Sequence, residues 1–113
     1  MSTDSLRATE AYSAARATAP RVTLQSMEDK IESRVFINLG DAIERTGQTA
    51  RRPTFLMTLC VLTMANGYVV TGQSAPASAE NFDAEKGRTF AYEDAIKKLW
   101  PLEGYLLREK LYG

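Results

Sequence analysis

The most distinctly patterned part of the chain is residues 66–105, which read NGYVVTGQSAPASAENFDAEKGRTFAYEDAIKKLWPLEGY. Asn66 and Gly67 tolerate the left-handed conformation that closes a helix, so they mark a boundary between elements. The aromatic and β-branched residues from Tyr68 to Thr71 predict a short strand. The small residues of segment 72–77 predict a connecting loop.

A long helix is predicted after this loop, from about Ser78 to Leu99. Serine is a residue type that caps helices, acidic residues follow in the first turns, and Lys97 and Lys98 lie in the last turn. Pro101 is predicted to end the helix, because a proline ring clashes with the preceding turn. The residues beyond it are expected to form a short terminal helix that folds back on the domain.

The predicted strand needs a hydrogen-bonding partner, and the segment from Val35 to Asn38 is the best candidate. Without it, the strand from Tyr68 to Thr71 would pair with its copy in another subunit. Helical spacing behind the capping residue Thr23 predicts a helix at residues 24–33. A helical turn is predicted at residues 41–45, and Pro53, a residue type favoured at the first helical position, predicts a helix at residues 53–65. The last is apolar around most of its circumference and is expected to form the axis of the core. The predicted fold is α+β and mostly helical, with three to four helices and one short two-stranded β element.

A stripe of small residues, Gly87, Ala91 and Ala95, runs along one side of the predicted long helix. It would let another backbone approach closely. Packing against the helix predicted at residues 53–65 is one explanation, and self-association along the stripe is the other.

The length of 113 residues indicates a single core. Residues 1–22 are rich in Ala, Ser and Thr and predict a flexible N-terminal arm with a helical turn at residues 10–16, whereas residues 23–113 predict one compact domain. The chain has fourteen basic and fourteen acidic residues, so it lacks the excess of positive charge that is typical of a nucleic-acid binder. The apolar run at residues 55–65 is too short to cross a membrane, and the N-terminus lacks a signal-peptide pattern. We therefore expect a cytoplasmic protein with no nucleic-acid and no membrane partner.

The residue types also exclude several chemistries. The chain has no histidine and a single cysteine, Cys60, which is expected to pack as a small apolar group. Ser-His and Cys-His nucleophiles, a zinc cluster and an intramolecular disulfide are thereby excluded. Asp83, Glu85 and Asp94 are the only candidates for a carboxylate metal site, but Asp83 and Glu85 point about 200° apart on a helix. Gly72-Gln73-Ser74 lacks the closing glycine of a hydrolase elbow. No catalytic residue, metal or cofactor is predicted.

A strand, a glycine-serine turn and a helix start together offer amides, hydroxyls and a positive dipole end to an anion such as a phosphate. The same segment also serves widely as a plain connection, and its acidic first turn disfavours a highly charged ligand unless an arginine reaches in. In an oligomer, aromatic residues near the C-terminus could line a cleft between subunits where a planar ring stacks. The candidate ligand-binding residues are Arg51, Arg52, Thr71, Gly72, Gln73, Ser74, Ser78, Arg88, Trp100 and Tyr105.

Four segments carry a family resemblance: TLCVLT at residues 58–63, NGYVVTGQSA at 66–75, NFDAEKGR at 81–88 and WPLEGYLL at 100–107. In this order and spacing they resemble a family of small tailed-phage proteins named for a gene 49 product of one phage and a gene 66 product of another. The resemblance covers about residues 20–112. Gln73 and Ala79 depart from its pattern, where an acidic residue and a proline are frequent, which puts in doubt any site built on an acid at position 73.

The resemblance implies an accessory protein of phages and prophages, made inside a bacterial host, and it carries over no catalytic residue. Together with the missing catalytic groups, it predicts a non-enzymatic counter-defence protein. We expect a homo-oligomer that sequesters a small anionic ligand, such as a nucleotide immune signal, between subunits. The alternative is a protein–protein inhibitor of a host enzyme or defence factor.

Overall fold

The computed structural model describes residues 5–9 and 20–113. Residues 5–9 are helical, and the following elements are helix α1 (Leu24–Glu28), strand β1 (Ile31–Asn38), helix α2 (Leu39–Arg45), a 3-10 turn (Arg52–Leu56), strand β2 (Thr58–Met64), strand β3 (Val69–Ser74), a second 3-10 turn (Ala79–Asn81) and helix α3 (Ala84–Tyr112). The three strands form an antiparallel sheet in the order β1-β2-β3. The α+β prediction is confirmed, with a sheet of three strands instead of two.

The prediction of a helix at residues 53–65 is wrong, because this segment contains the central strand β2. Its side chains alternate between the buried positions Thr58, Cys60, Leu62 and Met64 and the partly exposed residues between them. A strand that is apolar on both faces reads as a continuous apolar run, which hides its two-residue period. The apolar run therefore forms the middle of the sheet.

The two predicted strands are both confirmed, but they do not pair with each other. The segment from Val35 to Asn38 lies at the end of β1, and the segment from Tyr68 to Thr71 overlaps the start of β3. Strand β2 lies between them, with Val61 opposite Val35 on one side and Thr71 on the other. The strand at Tyr68 thus finds its partner within the chain.

The outer edge of β3 is occupied by side chains of α3. Lys98 Nζ donates to the Thr71 carbonyl oxygen at 2.7 Å, and Asp94 Oδ2 accepts from the Gln73 amide at 2.9 Å. Asp94 and Lys98 also lie 3.6 Å apart as an ion pair one helical turn from each other. An edge whose backbone groups are already bonded is a poor template for another strand.

Helix α3 differs from the prediction at both ends. It begins at Ala84, after Asp83 accepts the amides of Glu85 and Lys86 as the N-cap, whereas Ser78 precedes a separate 3-10 turn. It continues through Pro101 and ends at Tyr112. The proline removes one hydrogen bond to the Lys97 carbonyl. Both residues are exposed, so solvent can satisfy that carbonyl, and the predicted break is wrong.

The stripe of small residues on α3 packs on the sheet. A Cβ atom at Gly72 of β3 would overlap the Ala91 carbonyl oxygen and the Ala95 amide nitrogen, and would lie 2.9 Å from Ala95 Cβ. A Cβ atom at Gly87 would lie 2.7 Å from Thr58 Oγ1. The stripe on α3 therefore packs closely against the strands of the sheet. The prediction was that it would pack against a helix at residues 53–65.

The core lies between the sheet and a helical layer made by α3, α1 and residues 5–9. Tyr92, Leu24, Met27, Leu62 and Ile96 are its largest fully buried side chains. Helix α1 starts behind the predicted Thr23 cap, but it ends at Glu28, and residue 31 already belongs to β1. Of the predicted arm, residues 1–4 and 10–19 lie outside the described residues, including the predicted turn at residues 10–16. The division of the chain at residue 22 stays a prediction.

Candidate functional site

The C-terminal part of α3 extends past the end of the sheet. The helix has 29 residues and is about 43 Å long at 1.5 Å per residue. Strand β2 has 7 residues and spans about 24 Å. The helix face that covers the sheet at Ala91, Ala95 and Leu99 continues at the same spacing to Leu102 and Leu106. Beyond the end of the sheet, this face of the helix is about half exposed to solvent.

A groove lies between this helix segment and the turn that joins β2 to β3. We call it the hairpin–helix groove, and it has a volume of about 510 Å³. It is lined by Lys30, Met64, Ala65, Asn66, Tyr68, Leu99, Leu102, Glu103, Tyr105 and Leu106. Leu99 and Met64 are buried, whereas Tyr68, Tyr105 and Leu106 are 51%, 69% and 49% exposed. The groove therefore has an apolar floor and open aromatic and aliphatic walls.

The charged groups of the groove and the side-chain oxygen of Asn66 already have partners. Lys30 Nζ and Glu103 Oε2 form an ion pair at 2.7 Å, with only 14% of the Glu103 side chain exposed. This pair links the start of β1 to α3 at one side of the groove. Asn66 Oδ1 accepts the Tyr68 amide at 3.0 Å and so holds the turn. A ligand of this groove would contact mostly hydrocarbon and aromatic surface.

Several donors of the predicted anion-binding connection are used in hydrogen bonds within the protein. Ser74 Oγ donates to the Gly87 carbonyl oxygen at 2.7 Å, and the Gln73 amide donates to Asp94. The first amides of α3 are bonded to Asp83. Gly72 lies beneath α3, where the helix backbone covers it. The Thr71 and Gln73 side chains alternate with it and point to the opposite face of the sheet.

The ten predicted site residues do not meet at one place. Arg51, Arg52, Ser78 and Arg88 are exposed, near the end of the sheet where β2 begins, β3 ends and α3 begins. Trp100 packs against the core from the other half of α3. Tyr105 alone lies in the hairpin–helix groove, at the end where β2 turns into β3. Ligand binding by the remaining residues stays a prediction.

A polar cluster that sequence reasoning did not find joins α1, β1 and α3. Tyr92 Oη donates to Glu28 Oε2 at 2.6 Å, and Arg7 pairs with Glu28 at 2.9 Å. The guanidinium carbon of Arg34 lies 4.3 Å from the centroid of the Tyr92 ring. Burial raises the pKa of the Tyr92 phenol, and its hydrogen bond to Glu28 raises it further. These residues are far apart in sequence, so no local spacing could have indicated the cluster.

Cys60 is fully buried, which confirms that it packs as a small apolar group. Burial raises the pKa of its thiol from 9.0 to about 11, and the thiolate is the reactive form. We expect iodoacetamide to label Cys60 in the folded protein at least roughly 100-fold more slowly than in urea, the thiolate ratio that two pKa units imply. Equal labelling rates, measured by mass spectrometry, would show that the thiol is accessible.

Within residues 5–9 and 20–113, no group of three or more cysteine, aspartate or glutamate side chains is arranged to hold a metal ion. In the same part of the chain, no helix is long and apolar enough to cross a membrane.

Comparison with known proteins identifies the family. The family model described as "Phage protein (N4 Gp49/phage Sf6 gene 66) family" matches residues 22–111, which is most of the chain. No curated protein and no solved structure matches significantly. The matched region contains all three strands, the long helix and the hairpin–helix groove. The chain therefore belongs to the phage protein family of N4 Gp49 and phage Sf6 gene 66.

Proposed function

We propose that this phage protein is a non-enzymatic counter-defence factor that acts in the cytoplasm of the bacterial host by stoichiometric binding to a host protein. The hairpin–helix groove is the proposed binding site, and its open apolar shape is the observation that carries the proposal. The composition supports binding over catalysis, because the chain has no histidine and its one cysteine is buried.

The chemistry of the groove favours a protein partner. Leu102, Tyr105 and Leu106 project from one side of a helix, and Tyr68 faces them from the hairpin. Apolar grooves of this kind accept an amphipathic helix that inserts leucine or aromatic side chains at three- and four-residue spacing. The tyrosine hydroxyls and the ion pair of Lys30 with Glu103 provide a polar rim, as protein interfaces have. We propose that the partner presents such an apolar helix.

Sequestration of a nucleotide immune signal is the second candidate. The groove volume of about 510 Å³ lies within the range of small-molecule sites, roughly 300–1,000 Å³, and its tyrosine rings could stack on a base. A nucleotide also carries phosphates, and Lys30 is already neutralised by Glu103. This candidate therefore needs cationic groups from a second subunit of a homo-oligomer, as the sequence predicted.

The proposal is tested by capture from host lysate with a matched pair of variants. Leu106→Glu places a carboxylate in the groove, at a side chain that is 49% exposed in the free protein. Burying that charge against an apolar partner costs several kcal/mol, so we expect at least about 100-fold weaker binding. Arg51→Glu changes the charge of an exposed residue near the opposite end of the sheet and serves as the control.

The expected result is one host protein that is retained in equimolar amount by wild type and Arg51→Glu and lost with Leu106→Glu. Calorimetric titration with the purified host protein then gives the stoichiometry. Capture that is unaffected by Leu106→Glu would place the partner on another surface. Micromolar binding of a cyclic or ADP-ribose-type nucleotide in the same calorimeter, with no protein captured, would favour the second candidate instead.

A further inference from the structure

The regularly paired positions on the face of the sheet opposite α3 carry no charged side chain, and Glu32, at the bulge in β1, lies at the margin of this face. Strand alternation and the register of the three strands place nine residues on this open face, in three rows across the sheet. They are Ser33, Thr63 and Val69 in the first row, Val35, Val61 and Thr71 in the second, and Ile37, Leu59 and Gln73 in the third. Charged residues make up 25% of the whole chain, so their absence from these nine positions is unusual.

The open face is also well exposed. Val35 is 47% exposed and Val69 is 52% exposed, and Ser33, Thr71 and Gln73 are exposed as well. The other four residues are partly exposed. An antiparallel sheet with one face in water normally alternates apolar residues inside with polar residues outside. The lack of charge at the nine positions is instead a feature of interface cores.

We propose that the open face packs against the same face of a second copy of the chain, giving a two-fold symmetric dimer of stacked sheets. Two identical sheets have the same twist, so they can stack with their strands about 30° apart. A two-fold axis brings the same patch of both copies together, and the nine uncharged positions meet their copies without repulsion. Strand pairing along the edge of β3 does not compete with this mode of association, because Asp94 and Lys98 already bind the backbone of β3.

The available area supports this occupant. From the exposures of its residues, the open face offers on the order of 500 Å² per copy, or about 1,000 Å² for the pair, which is the lower limit for a specific interface. Six of its nine residues are Val, Ile or Thr, which lose little rotamer freedom on packing. Complete burial of the face would therefore reach the minimum area of a specific dimer.

The dimer leaves the proposed function intact. Met64 and Tyr68 of the groove have the same strand parity as Leu62 and Val70, which face α3. The groove and the open face are thus on opposite sides of the sheet. Two copies stacked through their open faces would present two grooves pointing outward, so the dimer would bind its partner in two places.

Native mass spectrometry and light scattering of the full chain test the dimer. Val35→Lys together with Val69→Lys adds two charges at half-exposed positions, where a folded single chain tolerates lysine. We expect wild type to have the mass of two chains and the double variant the mass of one at the same concentration. Tyr105→Lys, at a groove residue that is 69% exposed, is the control and should remain a dimer.

Circular dichroism shows whether each variant is folded, and a cross-linking variant gives a second, independent readout. Val61 is at the centre of the open face, so Val61→Cys should form an intermolecular disulfide on mild oxidation, whereas Tyr105→Cys should not. A wild-type mass of one chain at high micromolar concentration overturns the proposal. Dissociation by Tyr105→Lys, or cross-linking through Tyr105→Cys alone, also overturns it. If the monomeric variant with Val35→Lys and Val69→Lys still captures the host protein, the groove binds its partner without the dimer.

Discussion

Replacing Gly72 by alanine is expected to lower the free energy of unfolding by about 3 kcal/mol or more, as severe overpacking does. The added methyl group would overlap the Ala91 carbonyl oxygen and the Ala95 amide nitrogen. Both are backbone atoms of α3, so no side-chain rotation relieves the overlap, and the helix must move off the sheet. Urea denaturation followed by circular dichroism measures the change.

Gly104 provides the matched control for this substitution. It lies in the same helix, and a Cβ atom there meets nothing within 4 Å. Alanine at this position is expected to raise the free energy of unfolding by about 0.5–1 kcal/mol, the usual difference between the two residues inside a helix. If Gly72→Ala and Gly104→Ala had the same effect, α3 would not pack on β3 as closely as the structure shows.

The second large effect is expected at Leu62. Its side chain is fully buried at the centre of β2, and Leu62→Ala should lower the free energy of unfolding by about 3 kcal/mol through lost burial and the cavity that remains. Val61 is the neighbouring residue on the partly exposed face, and Val61→Ala should cost about 1 kcal/mol. The contrast follows from the two-residue period of a strand.

This pair of substitutions separates a strand from the helix that the sequence predicted. The measurement is again urea denaturation, at a fixed low protein concentration so that association contributes little to the apparent stability. Equal costs at the two positions would contradict a central strand at Thr58–Met64. A larger cost at Val61 than at Leu62 would reverse the assigned faces of the sheet.

The segment around β2 shows why the sequence predicted the wrong element. Leu59, Cys60, Val61 and Leu62 are apolar in succession, so the alternation between the two faces leaves no trace in the pattern. The length of the run and Pro53 at a first helical position then favoured a helix. The strands on either side were easier to predict, because their β-branched and aromatic clusters are bounded by turn residues.

The end of α3 shows a different limit. Proline is a strong local signal, and Pro101 predicted a helix end followed by a helix that folds back. In the structure the helix continues to Tyr112. The one hydrogen bond that Pro101 cannot make would go to Lys97, and both residues are exposed, so water can replace it. The spacing of Leu99, Leu102 and Leu106 was the signal that the same apolar face continues past the proline.

The predicted site residues were chosen by local chemistry, and tertiary structure separated most of them. Whether Ser74 Oγ and the Gln73 amide are free to bind a ligand depends on Gly87 and Asp94, which are distant in sequence. The hairpin–helix groove likewise joins a turn to a helix segment more than thirty residues away. Only Tyr105 was chosen from the sequence and also lines the groove.

Amide hydrogen exchange of the protein, alone and with the purified host protein that it is proposed to bind, tests the proposed groove most directly. We predict slower exchange on binding at residues 64–68 and 99–106, which form the two walls of the groove. Exchange at residues 51–52 and 72–78 should not change. Protection confined to residues 51–52 and 72–78, with none in the groove, would contradict the proposal.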